Sequence, residues 1–332
     1  MPSCAEVSDP DTPRDAAEAA EPLPWDGRRA AVLGLAIDRA SAEAVVALRD
    51  AGVPSILLKG PSFDALLYDR AEPRLYTDID LLIRAGDETR AHAVLEGLGY
   101  RQRSEREPEA IAEHATVWTR AADGMSVDLH WTLNGVPATA GVDPWEVLAA
   151  DTDSMEVGGT AVEVLSEPGR ALHVAIHAAL PGNSGRKTLL DLSRALERLP
   201  ASTWVAAAAL AGRLGAEAPF VAGLGRLPAG EELAGTLPLA GERSVDAALL
   251  ADSAPYSAWT LERLSQAPGV RAKLRILLPR LLPKPEFMRV WYPVARRGPA
   301  GLALAYLRRL GWLVVATPRA LRAWRRARRD TG

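Results

Sequence analysis

The sequence is poor in cysteine and has no long apolar run. Its single cysteine, Cys4, excludes an internal disulfide framework and a zinc site built from cysteines. The N-terminus is rich in acidic residues and prolines, which is not the pattern of a secretory signal peptide. A transmembrane helix is not expected, because no run of about 18 uninterrupted apolar residues is present. The expected location is the cytoplasm.

The composition is that of a globular protein, but the charge is unevenly distributed. The chain has 332 residues, of which 48% are hydrophobic, and a net charge of −3. This length predicts two domains, each large enough to bury a core. Residues 271–332 hold 16 Lys+Arg against 2 Asp+Glu, whereas residues 1–270 hold 23 against 40. A basic end on an acidic body predicts contact with an anionic partner, with a membrane surface, or with the body itself.

Four segments differ in composition and periodicity. Residues 1–25 are rich in Pro, Ala and acid without periodicity, which predicts a disordered tail. Residues 26–150 alternate between helix and strand patterns, residues 151–297 are mostly helical in pattern, and residues 298–332 have the pattern of a basic amphipathic helix. We therefore expect an α/β (α+β) fold, in which a small mixed sheet flanked by helices precedes a mostly helical domain.

Short apolar runs alternate with helical patterns in the first half of the chain. The residues predicted to form strands are 55–58, 78–83, 100–103, 115–120 and 126–131, and those predicted to form helices are 27–51, 62–68 and 87–98. Gly124 lies between the last two strands, as a hairpin turn requires. The clearest helical patterns after residue 165 cover 170–180, 188–199, 204–214, 244–250 and 270–282.

Three carboxylates lie on two of the predicted strands. Asp78 and Asp80 alternate in TDIDLLI, and alternate residues of a strand share one face. Asp128 and His130 alternate in the same way in SVDLHW. If the two strands are neighbours, the three carboxylates converge, which is an arrangement that binds Mg²⁺ together with substrate phosphates. The alternative is that these carboxylates lie on a solvated strand face or at a strand end.

The loop Lys59-Gly60-Pro61-Ser62 joins a predicted strand to a predicted helix. A helix N-terminus presents free backbone N–H groups and a positive dipole, which favour phosphate. Gly60 permits close approach of the backbone, and Lys59 supplies a positive charge. The alternative is an ordinary strand–helix turn with a surface lysine.

The order of these parts resembles the polymerase-β-type nucleotidyltransferase superfamily, and more closely one of its poorly characterised branches. The matching segments are LLKGPSFDALLYD (57–69), RLYTDIDLLI (74–83), VDLHW (127–131) and ALHVAIHAAL…LLDLSRAL (171–196). The resemblance implies a small nucleotidyltransferase-type sheet followed by a helical half. It also implies transfer of a nucleoside monophosphate from an NTP such as ATP to an acceptor hydroxyl, with Mg²⁺ or Mn²⁺ as the metal and pyrophosphate as the product.

The resemblance implies a role for each matched residue. Asp78 and Asp80 match the metal-binding carboxylates, and Asp128 matches the third carboxylate, which in such enzymes helps to deprotonate the acceptor hydroxyl. Gly60 matches the glycine of the phosphate loop. This loop departs from the Gly-Gly or Gly-Ser of the superfamily, because Pro61 follows Gly60 and removes one N–H that would hold phosphate.

Other residues are expected to complete the nucleotide site. Lys59, Ser62 and Arg74 are candidates for phosphate binding, with Lys59 and Arg74 compensating for the proline. The alternative for Arg74 is that it balances Asp78 or Asp80. His130 is expected to contact nucleotide or acceptor, or to serve a structural role.

Two histidines in the helical half raise a second metal hypothesis. His173 and His177 are four residues apart and share a helix face. With Asp191 they form a hypothetical zinc site, and the alternative is that they pack or cap near an interdomain cleft. The carboxylate-rich first site argues for a hard metal instead.

The sequence thus predicts a Mg²⁺-dependent nucleotidyltransferase that acts on a small molecule, a peptide or RNA. One alternative keeps the fold and uses another phosphate-containing donor, such as a sugar nucleotide, to modify a peptide or natural product. Another is a non-catalytic scaffold that binds RNA, lipid or a partner through residues 298–332. That basic end binds an RNA backbone, lies on anionic lipid at the membrane periphery, or packs on the acidic body.

Overall fold

A seven-stranded mixed sheet occupies the first half of the chain, and helices make up most of the rest. The computed structural model describes residues 27–69, 72–103, 114–136, 142–180, 186–239, 245–251 and 254–331; the expected tail at 1–25 lies outside them. The strands are β1 Ser55–Leu57, β2 Ile79–Ile83, β3 Tyr100–Gln102, β4 Ala115–Arg120, β5 Ser126–His130, β6 Thr152–Val157 and β7 Thr160–Leu165. The predicted fold class is confirmed.

The helices surround the sheet and continue to the C-terminus. Those within the sheet-forming part are α1 Gly27–Asp50, α2 Pro61–Leu67, α3 Glu88–Gly97 and α4 Pro144–Leu148. The later ones are α5 Glu167–Ala179, α6 Arg186–Arg198, α7 Ala201–Arg213, α8 Glu217–Leu224, α9 Pro228–Ala234, α10 Val245–Ala251, α11 Tyr256–Gln266, α12 Gly269–Leu281, α13 Pro285–Trp291 and α14 Gly298–Thr331. The predicted basic C-terminal segment is thus one long helix.

The sheet extends past the expected domain boundary at residue 150. Its strand order is β3-β4-β5-β2-β1-β7-β6, so the hairpin of β6 and β7 adds two strands next to β1. The pairs β2–β5 and β1–β7 are parallel and the others are antiparallel. The turn of the additional hairpin is Gly158-Gly159, with both residues at positive φ, which is the conformation of a tight two-residue hairpin turn.

The two faces of the sheet belong to different hydrophobic cores. On β2, Ile79, Leu81 and Ile83 pack in the core that contains residues of α1 and α3. Leu82 packs in the other core, which extends through α5, α7 and α8. Because strand residues alternate between faces, Asp80 shares the face of Leu82 and is directed toward the helical half. The predicted period-two pattern of this strand is therefore present in the fold.

Helices α5 and α8 cross in contact at a glycine. A Cβ atom added at Gly223 would lie 1.7 Å from the backbone oxygen of Ala175, so the two backbones can approach this closely only when residue 223 has no side chain. We expect Gly223→Ala to lower the free energy of unfolding by about 1–3 kcal/mol or more, the cost of overpacking a core.

Chemical denaturation measures this cost. The matched control is Gly97→Ala at the end of α3, where nothing lies within 4 Å of the added Cβ and stability should be unchanged or slightly increased. Equal stability of the two variants would contradict the close crossing.

Candidate active site

Two carboxylates lie side by side on adjacent parallel strands. The register of β2 and β5 places Asp80 opposite Asp128, and both are on the face directed toward the helical half. Asp80 is buried and Asp128 is partly exposed. Each offers a ligand oxygen that, together with a ring nitrogen of His130, forms a group whose atoms lie within 4.8 Å of one another. This is a candidate metal centre at the sheet surface.

Lys59 and His130 both contact the same oxygen of Asp80. The Lys59 Nζ atom lies 2.8 Å from Asp80 Oδ1, and His130 Nε2 lies 3.0 Å from it. Burial alone would raise the pKa of Asp80, but the charge of Lys59 and the hydrogen bond with His130 lower it well below its usual range. Burial alone would lower the pKa of Lys59, but Asp80, Asp78 and Asp128 raise it. Lys59 and Asp80 are therefore both charged.

The environment of Asp128 has the opposite effect on its pKa. Burial, followed by the negative charge of Asp80, raises the pKa of Asp128 to about 6. Asp78 lies in a bend just before β2, is half-buried, and adds to the negative charge felt by Asp128. Its oxygens are not part of the group formed by Asp80, Asp128 and His130, so the structure brings together two of the three predicted carboxylates and adds the histidine.

The predicted phosphate loop connects β1 to α2. Gly60 has φ 59° and ψ −117°, a conformation that favours glycine, and a Cβ there would lie 3.4 Å from the ring of Tyr76. Pro61 occupies the start of α2, where its missing N–H costs no helical hydrogen bond. Ser62 is buried, and its hydroxyl has no hydrogen-bond partner among the residues that the structure describes. The loop begins directly beside Asp80, because the N–H of Leu58, the residue before the loop, donates to Asp80 O across 3.0 Å.

Arg74 is anchored by the helical half rather than by Asp78 or Asp80. Its Nε and Nη2 atoms donate to Asp191 of α6 at 3.0 Å and 2.9 Å, and Tyr68 Oη donates to the same carboxylate at 2.6 Å. Burial would lower the pKa of Arg74, but the hydrogen bonds and charge of Asp191 raise it. This pair ties the segment before β2 to α6.

Among the residues that the structure describes, His173, His177 and Asp191 do not form a group of possible metal ligands. The rings of His173 and His177 are 6.2 Å apart, and burial followed by the charge of Lys59 lowers the pKa of both histidines well below the usual range. Asp191, the third ligand of that hypothesis, is occupied by Arg74 and Tyr68. Packing is therefore the observed role of the two histidines; His173 makes an edge-on ring contact with Phe63.

Sequence reasoning missed Lys187 at the start of α6. The surrounding protein and the charge of Arg74 lower the pKa of Lys187 to about 8, while Asp78 and Asp191 oppose this shift. The side chain of Lys187 is exposed, and the charges of Asp78 and Asp191 act on it. The sequence gives no signal for this lysine, because it lies 107 positions after Asp80 and belongs to no local motif.

The comparisons with known proteins concern the first two thirds of the chain. Residues 17–228, more than half of the chain, match the model of a family described as "Uncharacterised nucleotidyltransferase". The basic helices α12 to α14 lie C-terminal to the match. No curated protein matches the chain.

Three solved structures show weaker similarity. The solution structure of the antibiotic-resistance factor ANT(2'')-Ia is 20% identical over 52% of this chain and 90% of that chain, with a TM-score of 0.38. The crystal structure of ANT(2'')-Ia with adenylyl-2''-tobramycin is 17% identical over 52% and 94%, with a TM-score of 0.37. An antigenic nucleotidyltransferase-like protein from Paracoccidioides brasiliensis is 13% identical over 55% and 94%, with a TM-score of 0.33. None of these similarities assigns a residue role here.

The family match covers all the segments on which the resemblance to nucleotidyltransferases was based, from the Lys59 loop through both acidic strands to α6. The resemblance is therefore confirmed. The chain belongs to the uncharacterised nucleotidyltransferase family and is a transferase.

Proposed function

We propose that this transferase moves a nucleoside monophosphate from an NTP to the hydroxyl group of an acceptor in a Mg²⁺-dependent reaction. The observation that carries the proposal is the pair Asp80 and Asp128, which lie in register on adjacent strands beside Lys59. In this reaction the acceptor oxygen forms a bond to the α-phosphorus. The bond from that phosphorus to the bridging oxygen breaks, and pyrophosphate leaves.

The residues at this site fit a divalent cation. Carboxylate oxygens are the ligands that Mg²⁺ prefers. Lys59 and His130 contact Asp80 Oδ1, so we assign Asp80 Oδ2 and the Asp128 carboxylate to the cation, with Asp78 as a further ligand. Mg²⁺ or Mn²⁺, when bound, would neutralise charge on the polyphosphate and on the carboxylates. Since Asp80 raises the pKa of Asp128, the protein already has an electrostatic cost that a cation removes.

Lys59 is the proposed partner of the phosphates. Without substrate its ammonium group neutralises Asp80. When Asp80 is neutralised by a cation, the same ammonium group becomes available to a phosphate oxygen a short side-chain movement away. We assign Gly60 and Ser62 to the loop that binds the phosphates. Arg74, which Asp191 holds in place, is proposed to contribute positive charge near this loop.

Asp128 is the proposed acceptor of the proton from the attacking hydroxyl. Without a cation, burial and the charge of Asp80 raise the pKa of Asp128 to about 6; a bound cation would favour its ionised form, which is the form that accepts a proton. His130 positions Asp80 through Nε2. Its Nδ1 is buried without a hydrogen-bond partner in the described part of the chain, which makes it a candidate contact for nucleotide or acceptor.

Product analysis tests the proposal and separates it from the donor alternative. The protein is incubated with Mg²⁺, each of the four NTPs and a fractionated pool of hydroxyl-bearing small molecules, peptides and RNA. We expect pyrophosphate release that depends on one fraction, and a product whose mass increases by one nucleoside monophosphate.

The controls decide between this reaction and its rivals. Asp153→Asn on the edge strand β6 changes an exposed carboxylate, 49% exposed and paired with the mostly buried Arg170, and should leave turnover unchanged. A mass increase of one phosphate with the NTPs, or of one hexose in a parallel incubation with sugar nucleotides, would replace the proposed reaction. Turnover that is unchanged in Asp80→Asn would contradict the proposed site.

A further inference from the structure

Helix α12 is amphipathic but has no buried residue. Four apolar side chains follow one another at spacings of four, four and three residues, which places them on one helix face. Their exposed fractions are large: Val270 73%, Leu274 45%, Leu278 50% and Leu281 37%. Exposed basic residues accompany this stripe at Arg271, Lys273 and Arg275. A stripe of this kind on a solvent-facing helix marks a binding surface.

Helix α14 buries one side and exposes the other. Ala305 packs with α13, and Ala320 and Ala327 pack with α10 and α11. A second apolar stripe is exposed on the opposite side of α14. Its members and their exposed fractions are Leu304 40%, Leu307 66%, Val314 73% and Val315 78%. The spacings of seven and eight residues from Leu307 to Val314 and Val315 place these side chains on one helix face.

The end of α12 and the segment after it contact α14, and one of these contacts is made by a buried arginine of α14. Arg309 Nε, in the middle of α14, donates to the backbone oxygen of Arg280 at the end of α12 across 2.9 Å. Tyr306 Oη donates to the backbone oxygen of Pro283 across 2.6 Å. Together the two stripes expose eight apolar side chains on neighbouring helices.

Basic residues continue the exposed side of α14 beyond its apolar part. Arg322, Arg325 and Arg329 are exposed. Arg322 follows Val315 by seven residues, Arg325 follows Val314 by eleven and Arg329 follows Val315 by fourteen, so they lie on the same side of the helix. Residues 271–332 as a whole carry 16 basic and 2 acidic residues. An apolar stripe bordered by arginines matches a surface with an apolar interior and anionic headgroups.

We propose that α12 and α14 dock this protein, from the cytoplasm, on the surface of an anionic lipid bilayer. The apolar side chains would enter the boundary between headgroups and acyl chains, and the arginines would contact the headgroups. RNA would explain the arginines but not the eight exposed apolar side chains. The proposal is independent of the reaction at Asp80 and Asp128.

The contacts of α14 favour a position on the membrane over one across it. Among the described residues, α14 is the one helix that is long and apolar enough to cross a membrane. In its most apolar stretch of 18 residues, 17% of the residues are buried. Its two ends, however, pack on other helices, and Trp324 Nε1 donates to Glu262 of α11 at 2.6 Å. Arg308 and Arg309 also interrupt the apolar part. A spanning helix would have to give up these contacts.

Vesicle flotation of the full chain tests this surface. The vesicles contain either phosphatidylcholine alone or phosphatidylcholine with phosphatidylglycerol, at about 0.1 M salt, where surface charges still act over roughly 10 Å. We expect binding to the anionic vesicles to be stronger by about tenfold or more. The triple variant Leu307→Gln/Val314→Gln/Val315→Gln should lose about 10–100-fold of this binding, because three apolar side chains no longer leave water.

Two further variants make the result specific. Leu190→Gln/Val205→Gln/Val221→Gln changes three exposed apolar side chains on α6, α7 and α8 and should bind like the wild type. Arg322→Gln/Arg325→Gln/Arg329→Gln should reduce binding to anionic vesicles only. Circular dichroism checks that each variant is folded.

Three outcomes would overturn the proposal. The first is equal binding by the wild type and the apolar variant. The second is anionic binding that depends only on the arginines and is competed fully by RNA, which would assign the surface to RNA. The third is a wild-type protein that alkaline carbonate does not extract from vesicles, which would mean that α14 spans the bilayer.

Discussion

The Asp80→Asn variant is expected to lose at least about 10²–10³-fold in the rate of nucleotidyl transfer, the scale seen when a single preorganised electrostatic group is removed from an active site. Asp80 is the buried carboxylate of the pair and the one that both Lys59 and His130 contact. Asn keeps the shape but not the charge. The proposed cation would then lose the Asp80 carboxylate as a ligand, and Lys59 would lose the negative charge that it pairs with.

Folding has to be separated from chemistry in this experiment. Asp80→Asn leaves Lys59, only 17% exposed, beside a neutral group, so some loss of stability is expected as well. The double variant Lys59→Met/Asp80→Asn removes both charges; it should recover stability but not activity. Rates are measured by pyrophosphate release at a temperature where all variants are folded. An active double variant would show that neither residue takes part in transfer.

Arg74→Met is expected to lower the free energy of unfolding by about 3–5 kcal/mol, the usual cost of breaking a buried ion pair from one side. The side chains of Arg74 and Asp191 are 4% and 2% exposed, and their nitrogen and oxygen atoms lie 2.9 Å apart. Without the guanidinium, Asp191 would remain as a buried charge, and the hydroxyl of Tyr68 would be its remaining hydrogen-bond partner among the described residues.

Urea unfolding and a double variant measure this cost. Arg74→Met/Asp191→Leu removes both charges and should be clearly more stable than Arg74→Met alone. The matched surface control is Arg84→Gln, whose partner Glu146 is 64% exposed; it should change stability by no more than about 1 kcal/mol. A similar small change for Arg74→Met would mean that Arg74 does not fasten the segment before β2 to the helical half.

Strand periodicity predicted the central part of the site. The alternation of Asp80 with Ile79 and Leu81, and of Asp128 with Val127 and Leu129, assigned each residue to a sheet face before any pairing was known. Apolar burial enforces this assignment, since a shift of one residue would place the aspartates in the core of α1 and α3.

The partners of these residues could not be predicted in the same way. Asp191 lies 117 positions from Arg74, and this contact depends on how α6 packs against the sheet. The ammonium group of Lys59 was expected on phosphate, but without substrate the buried Asp80 is the nearest strong negative charge. Asp78 was placed in the strand by its spacing, but the ladder begins at Ile79.

The additional hairpin was missed for a compositional reason. Strand β6, at the edge of the sheet, buries only Val157, so its sequence TDSMEV carries almost no apolar period. The turn signal Gly158-Gly159 and the alternating β7 are present in the sequence, but residues 151–297 were predicted to form a mostly helical domain. A strand that is exposed on both faces needs no alternation of apolar and polar residues, so periodicity does not identify it.

Isothermal titration with a non-hydrolysable NTP, in Mg²⁺ and in EDTA, tests the central claim most directly. The claim is that Asp80 and Asp128 jointly hold a cation that couples to the polyphosphate. We predict that the wild type and Asp153→Asn bind the nucleotide tightly only in Mg²⁺, and that Asp80→Asn and Asp128→Asn each lose most of this Mg²⁺-dependent affinity. Binding of the same strength in all four proteins, with or without Mg²⁺, would contradict the claim.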